Sequence, residues 1–289
     1  MNELLGSVWH GMIFDENDHS YFVQKNGITF LLDKEEGQQE VGNMVEGFGY
    51  QNQKQQNCFT TKIPLIRKDH KDFAEVIASR KDLGVFVDIG LTDKEIVVSL
   101  DELPELRQLW PKKGDKLLVS LKTDEKARVW ATLADEVDFL AMSKPATKEE
   151  MHNKNIEGTV YRLKLVGTYF ISDEGYLGFI HPSERFEEPR LGQHISGRVI
   201  GVRPDGILNI SLKPRAHEVI SSDAQMILTF LERSEEGKIP FSDKSTPDAI
   251  NETFAISKGQ FKRALGSLMK AKLINQEDGW TILVENKEI

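Results

Sequence analysis

The chain has 289 residues and a formal net charge of −9, from 46 acidic and 37 basic side chains. At about 100–200 residues per domain the length predicts two ordinary domains or a larger number of small ones. A hydrophobic content of 39% excludes disorder as the main state. The negative balance excludes attraction of the whole surface to nucleic acid or anionic membrane, because the net field repels phosphate, so such a role needs a local patch. Cys58, the one cysteine, can form neither an internal disulfide nor a thiolate zinc site, and it suits a reducing compartment. The start MNELLGSVWHGMIF has neither the basic opening nor the continuous apolar stretch of a leader. No window approaches the roughly 18 apolar residues of a membrane span. These features predict a cytoplasmic protein with no membrane partner.

Read in chain order, residues 1–61 show short alternating segments, GSVWHGMIF, SYFVQK and ITFLLD, then VGNMVEGFGY. Turn residues break them at the spacing of small antiparallel barrels. Residues 62–146 repeat the order more clearly, with FAEVIAS, LGVFVDI, EIVVSLDELP, KGDKLLVSL and ARVWATL. AMSKPATKEEMHN follows as a linker or a single helical turn, in which Thr147 and Glu150 have capping-box spacing. Residues 147–216 give the sharpest signal: IEGTVYRLK, GTYFIS, GYLGFIHPSE, LGQHISGRVIGVR and GILNISLK read as five strands, with SERFEEPR as a short helical turn after the third. Five strands with that connection describe an OB-type barrel. The fold expected is therefore mainly β, with tandem five-stranded OB-type barrels and a smaller α+β domain at the end.

Residues 217–289 form that last domain. Val219, Met226, Ile227, Phe230 and Leu231 recur at helical spacing. A second helix is expected from Pro247 to Phe254, capped by Thr246, and a third begins after Ser257 with Phe261, Leu265, Leu268 and Met269 as its inward stripe. LINQEDGWTILVE then turns at Asp278-Gly279. Three helices and a hairpin give the order of a winged helix.

The charge is uneven. Residues 1–61 carry −6 and residues 62–150 carry −2, whereas 151–216 carry +2 and 217–289 carry −3. Lys258, Lys262, Arg263, Lys270 and Lys272 lie on the third helix with no acid between Ser257 and Lys272. Arg263 and Lys270 fall opposite the apolar stripe, beside Gly259 and Gly266. On the third barrel Arg162, Lys164, Arg198, Arg203 and Lys213 are candidate phosphate contacts. Alternation places Arg162 and Lys164 on one face of their strand and Tyr161 and Leu163 on the other. The seven histidines are scattered without metal-ligand spacing, and no GxxxxGK phosphate loop is present. No enzyme, cofactor or metal is predicted.

Residues 156–213 resemble the RNA-binding barrel named after ribosomal small-subunit protein S-one. The likeness is carried by Gly167 with Tyr169, GFIHPSE, LGQHISGRV and the NISLK ending. The whole order, barrels followed by a winged helix in an acidic chain, resembles the bacterial conserved virulence factor B family. That resemblance implies binding of single-stranded RNA on one sheet face, through an aromatic on either side of a glycine, a histidine on strand three and an arginine near strand five. In the third barrel Tyr169 and His181 match, while Val166 and Ile207 stand at the first aromatic and the arginine. In the second, Phe86 matches, as do Asp124 and Arg128 of the last hairpin, while Leu83 and Ser99 replace the first aromatic and the histidine. The resemblance further implies regulation of gene expression, including virulence genes in pathogens. Two other partners fit the residues: duplex DNA read by the winged helix with the barrels as scaffold, or a protein docked on that helix.

Overall fold

A computed structural model describes residues 1–214, 221–234 and 236–284; Val219 and Glu285 lie outside them. The chain divides into two compact units, residues 1–212 and 213–289.

The first unit holds three closed five-stranded barrels of identical strand order, first-second-third-fifth-fourth. They are β1 to β5 (Ser7–Glu16, Ser20–Lys25, Ile28–Asp33, Met44–Gln51 and Asn57–Thr60), β6 to β10 (Asp72–Arg80, Gly84–Asp88, Ile96–Ser99, Lys116–Thr123 and Val129–Leu133), and β11 to β15 (Asn155–Lys164, Gly167–Ser172, Leu177–Ile180, His194–Val202 and Leu208–Ser211). Each closes through a parallel pairing of its third and fifth strands. The weak opening segments thus form a complete barrel. Its core centres on Trp9, whose ring meets Phe30 at 5.0 Å and Phe59 at 4.5 Å and whose indole N–H donates to Leu4 O at 2.8 Å.

One irregularity recurs. The first strand of every barrel carries a β-bulge against the second, between Ile13 and Asp15, Val76 and Ala78, and Val160 and Arg162. A bulge adds one residue and sharpens the local twist, as closing a small barrel requires. Here it also fixes what faces outward. Asp15, Ala78 and Arg162 pair with Phe22, Phe86 and Tyr169, which pair in turn with Leu31, Val97 and Phe179 of the third strands.

Two glycines explain the start of the second strand. A Cβ on Gly84 would lie 2.0 Å from Val98 O, and one on Gly167 would lie 2.6 Å from Ile180 O and from the Phe179 ring. Both have φ in the region that favours glycine, 136° and 151°. The third strand of each barrel ends in a 3-10 turn capped by the side chain of Asp33, Ser99 or His181. The last of these turns, Pro182–Glu184, starts earlier and is shorter than the SERFEEPR reading.

Between the second and third barrels stand α1 (Glu136–Met142) and α2 (Lys148–Met151). In α1, Asp135 and Asp138 form a reciprocal capping box. Thr147 precedes α2 but its side chain makes no capping bond, so the capping-box spacing there is not used. Phe139 of α1 is buried with Leu118, Ile171 and Leu177, joining the two barrels through a shared apolar cluster.

The second unit contains α3 (Ser222–Arg233), β16 (Lys238–Ile239), α4 (Pro247–Phe254), α5 (Lys258–Lys270), β17 (Ile274–Glu277) and β18 (Trp280–Leu283). Thr246 caps α4, and Ser257 with Gln260 forms a capping box at α5. The hairpin gains a third strand, in the order β16-β18-β17. Ile227, Leu231, Ile250, Phe254, Phe261, Leu265 and Leu268 fill the core. Met269 and Phe230 are exposed at the margins of their stripes rather than buried in them. The winged-helix order of elements is realised, and the chain is mainly β with three barrels.

Candidate nucleic-acid interface

The bulge in β11 reverses the facing that strict alternation gives. Tyr161 shares the outer face with Arg162, and its ring centroid lies 6.3 Å from that of Tyr169. The row continues across the sheet, with Tyr169 to Phe179 at 5.2 Å and Phe179 to His181 at 6.5 Å. Two cations lie over it: Lys164 Nζ is 5.1 Å from the Tyr169 ring, and the Arg203 guanidinium is 4.3 Å from the Phe179 ring. Arg203 is held there by a 2.9 Å bond from Nε to Asn209 Oδ1. A planar guanidinium on an aromatic face combines π-contact with charge. Three strands, with His181 just after β13 and Arg203 just after β14, therefore bring rings and cations together on one face.

Each predicted residue occupies a distinct setting. Tyr169 is half-buried, and Phe179 beside it is only 8% exposed beneath Arg203. His181 is exposed, and its Nδ1 accepts from Ser183 N–H at 3.2 Å. That bond performs the cap that Asp33 and Ser99 perform elsewhere, so the imidazole has a structural duty and Nε2 is the nitrogen left for a ligand. Arg162 and Lys164 both point at α1: Glu136 Oε1 lies 3.2 Å from Arg162 Nε and 2.5 Å from Lys164 Nζ. The hydrogen bond from Lys164, joined by the Arg162 charge, holds the Glu136 carboxyl below its usual range. Arg198 is half-buried on β14, with its Nε buried and lacking a hydrogen-bond partner. Lys213 falls in the second unit.

The row stops at Tyr161. The Phe139 ring stacks on it at 3.9 Å and 19°, and burial pushes its phenol up to about 12. Beside this end, Tyr161, Arg162 and Leu163 line a cavity of about 400 Å³ together with Glu102, Pro104 and Asp135.

The second barrel carries a reduced version of the row. Phe86 is half-buried between Ala78 and Val97. The Arg128 guanidinium lies 5.3 Å from the Trp130 ring and reaches Asp124 at 2.7 Å. Burial opposes ionisation of Asp124, yet its carboxyl is held down at about 2, because it accepts from the Arg128 backbone and side chain and from the Trp130 indole N–H.

In the second unit α5 exposes Lys262, Arg263 and Lys270, with Lys258 half-buried. Among the described residues none of these four cations has an ion-pair partner. Gly259 and Gly266 lie on the same exposed side, and a Cβ on Gly266 would meet nothing within 4 Å. On the wing, Trp280 is exposed with Lys238 Nζ 5.3 Å from its ring.

Tyr161, Phe179, Trp130 and Trp280 enter the site without having been singled out in the sequence. For Phe179 the signal was available, because GFIHPSE puts Phe179 and His181 two residues apart and hence on one face. Among the described residues the scattered histidines also conceal one cluster: Glu157, Asp173 and His194 bring ligand atoms within 4.8 Å of one another. All three are exposed and His194 Nε2 already lies 2.9 Å from Asp173 Oδ2, an ordinary surface hydrogen bond.

Comparison with known proteins agrees with this organisation. The family model described as "S1 domain" matches residues 5–62, "CvfB first S1-like domain" matches 72–132, "Virulence regulatory factor CvfB, second domain" matches 139–214, and "CvfB-like winged helix domain" matches 225–283. Conserved virulence factor B of Staphylococcus epidermidis is 43% identical over 96% of this chain and 94% of its own length. The Staphylococcus aureus protein of that name is 40% identical over 96% and 93%. A crystal structure of a Streptococcus pneumoniae protein, described as a multidomain protein with nucleic acid binding domains, is 54% identical, superposes with a TM-score of 0.71 and covers 98% of this chain and 99% of that one.

Proposed function

This chain belongs to the conserved virulence factor B family, and from that premise we propose that it is a non-enzymatic regulator of gene expression that binds single-stranded RNA. The observation that carries this reading is the row Tyr169, Phe179, His181 with Arg203 above Phe179. Rings on a barrel face stack bases at about 1–3 kcal/mol each and tolerate any sequence, because every base has a π-face. The description of the Streptococcus pneumoniae structure, which names nucleic acid binding domains, supports the same class of ligand. In this reading the third barrel supplies the main surface, Phe86 and Arg128 of the second assist, and Lys258, Lys262, Arg263 and Lys270 of α5 add phosphate contacts. The net charge of −9 limits affinity to these patches and makes it fall steeply with salt.

The test is a competition among single-stranded RNA, single-stranded DNA and duplex DNA across a salt series. Single-stranded RNA should bind tightest, and Tyr169→Ala and the pair Arg263→Glu with Lys270→Glu should each weaken it. Unchanged affinity in both variants overturns the reading. The cations of α5, without ion-pair partners among the described residues, favour one rival, a winged helix that reads duplex DNA with the barrels as scaffold, and that rival requires duplex DNA to win. The wing tip counts against it, since Glu277 and Asp278 present acid where a wing meets phosphate and Gln276 adds no cation.

A further inference from the structure

The first barrel places an aromatic at the same register position as the third and surrounds it with the opposite charge. Phe22 pairs with the residue after the bulge, as Tyr169 does, but that residue is Asp15 where the third barrel has Arg162. The bulge residue is Phe14 where the third barrel has Tyr161, and its ring lies 6.1 Å from that of Phe22. The cap position holds Asp33 where His181 stands. This face therefore keeps apolar and aromatic side chains while losing the groups that attract phosphate.

It is also uncovered. Met12 is 44% exposed, Phe14 41% and Met44 61%, and Met12 pairs directly with Met44 across β1 and β4. Adjacent large apolar side chains left in solvent mark an interaction surface more often than scattered single ones do. Two of the three are methionines, whose flexible thioethers adapt to irregular partners. Asp15 follows Phe14 on β1, Glu46 is exposed on β4 two residues beyond Met44 with His10 Nε2 3.8 Å away, and residues 1–61 carry −6 in all, whereas Glu16 is taken up by Lys34 at 2.8 Å.

We propose that the outer face of β1, β2 and β4 docks a basic amphipathic segment of another protein. Its apolar side chains would cover Met12, Phe14 and Met44, and its lysines or arginines would meet Asp15 and Glu46. RNA is disfavoured by the acids, and a second copy of this face is disfavoured by repulsion of like charge.

The test uses the full-length chain and a fluorescein-labelled amphipathic Lys/Leu peptide, with a Glu/Leu peptide of the same apolar spacing as control. The Lys/Leu peptide should bind and the control should not. Met12→Ser with Phe14→Ser and Met44→Ser should weaken peptide binding about tenfold or more, and so should Asp15→Lys with Glu46→Lys, while neither set changes affinity for single-stranded RNA. Thermal melting identifies a variant that has failed to fold. If the apolar set does so, the charge-reversal pair, confined to exposed positions, carries the test. Peptide affinity unmoved by the folded variants overturns the proposal, as does equal binding of the Glu/Leu peptide. RNA affinity lost with the apolar set assigns the face to RNA instead, and self-association lost with that set assigns it to a second copy.

Discussion

Glu136 Oε1 stands 3.2 Å from Arg162 Nε, close enough to occupy the place a phosphate oxygen would take. The same oxygen reaches Lys164, which lies over the Tyr169 ring. A carboxylate from α1 thus competes for two of the cations nearest the ring row. Because its carboxyl is held below the usual range, it stays ionised throughout the neutral region.

Replacing Glu136 by Gln should therefore tighten single-stranded RNA binding. Each freed cation should add about 0.7 to the slope of log K against log salt, so the slope should steepen by roughly 1.4. Fluorescence anisotropy across a sodium chloride series measures both quantities. An unchanged slope shows that Arg162 and Lys164 do not touch phosphate.

His181 combines a cap with a place at the end of the row, and two substitutions separate these duties. His181→Ala removes the acceptor for Ser183 N–H and should cost about 1 kcal/mol of stability. His181→Ser retains an acceptor, as Ser99 does in the second barrel, and should melt like the parent. Both should bind RNA several-fold more weakly if the ring stacks a base. Denaturation and binding curves on the same samples check the pair.

Glycine substitutions should have opposite signs in the two units. Gly167→Ala forces a Cβ to 2.6 Å from Ile180 O and from the Phe179 ring, and should destabilise by about 1–3 kcal/mol while disturbing the row. Gly266→Ala meets open space on an exposed helix and should stabilise by about 1 kcal/mol. If α5 lies against a nucleic-acid backbone, that stabilised variant should nevertheless bind less tightly. Calorimetry and anisotropy read the two effects separately.

Asp124 gives a pH signature. Its folded pKa is depressed to about 2 from 3.8, so its contribution to the last hairpin of the second barrel is complete above the unfolded value and is lost as pH falls toward about 2. Trp130, which donates to Asp124 at 3.2 Å, supplies the optical probe. Acid titration should change its fluorescence in that window, and Asp124→Asn should abolish the change.

Much of this architecture was legible as order and periodicity. IEGTVYRLK to GILNISLK identified the third barrel because its strands alternate cleanly, and Ser257 with its apolar stripe identified α5. Phe22 escaped because Ser20 occupies the position of Gly84 and Gly167, which removes the glycine that draws attention to the aromatic two residues on. Alternation puts Tyr161 on the face opposite Arg162, and the bulge, which shifts the period by one residue without any mark in the sequence, brings it to the same face. The α1 helix carries a weak sequence signal because a helix of two turns sits between a strand and a charged linker, and its capping box is built from two aspartates instead of the usual Ser and Glu. The Glu136 clamp, a contact of the linking helix α1 with the third barrel, has no local sequence signature.

Closure of the barrels bears on how so much strand can coexist with solvent. Each sheet of the first unit returns to its own first strand, leaving no row of free backbone groups on which another chain could template. The open sheet of the second unit has edges, but β16 is two residues long and β17 ends in Glu277, next to Asp278 of the turn. Short length and terminal charge are the devices that keep such edges from recruiting neighbours into fibrils. The proportions of the chain, many short strands sealed in closed five-stranded barrels, therefore serve resistance to aggregation.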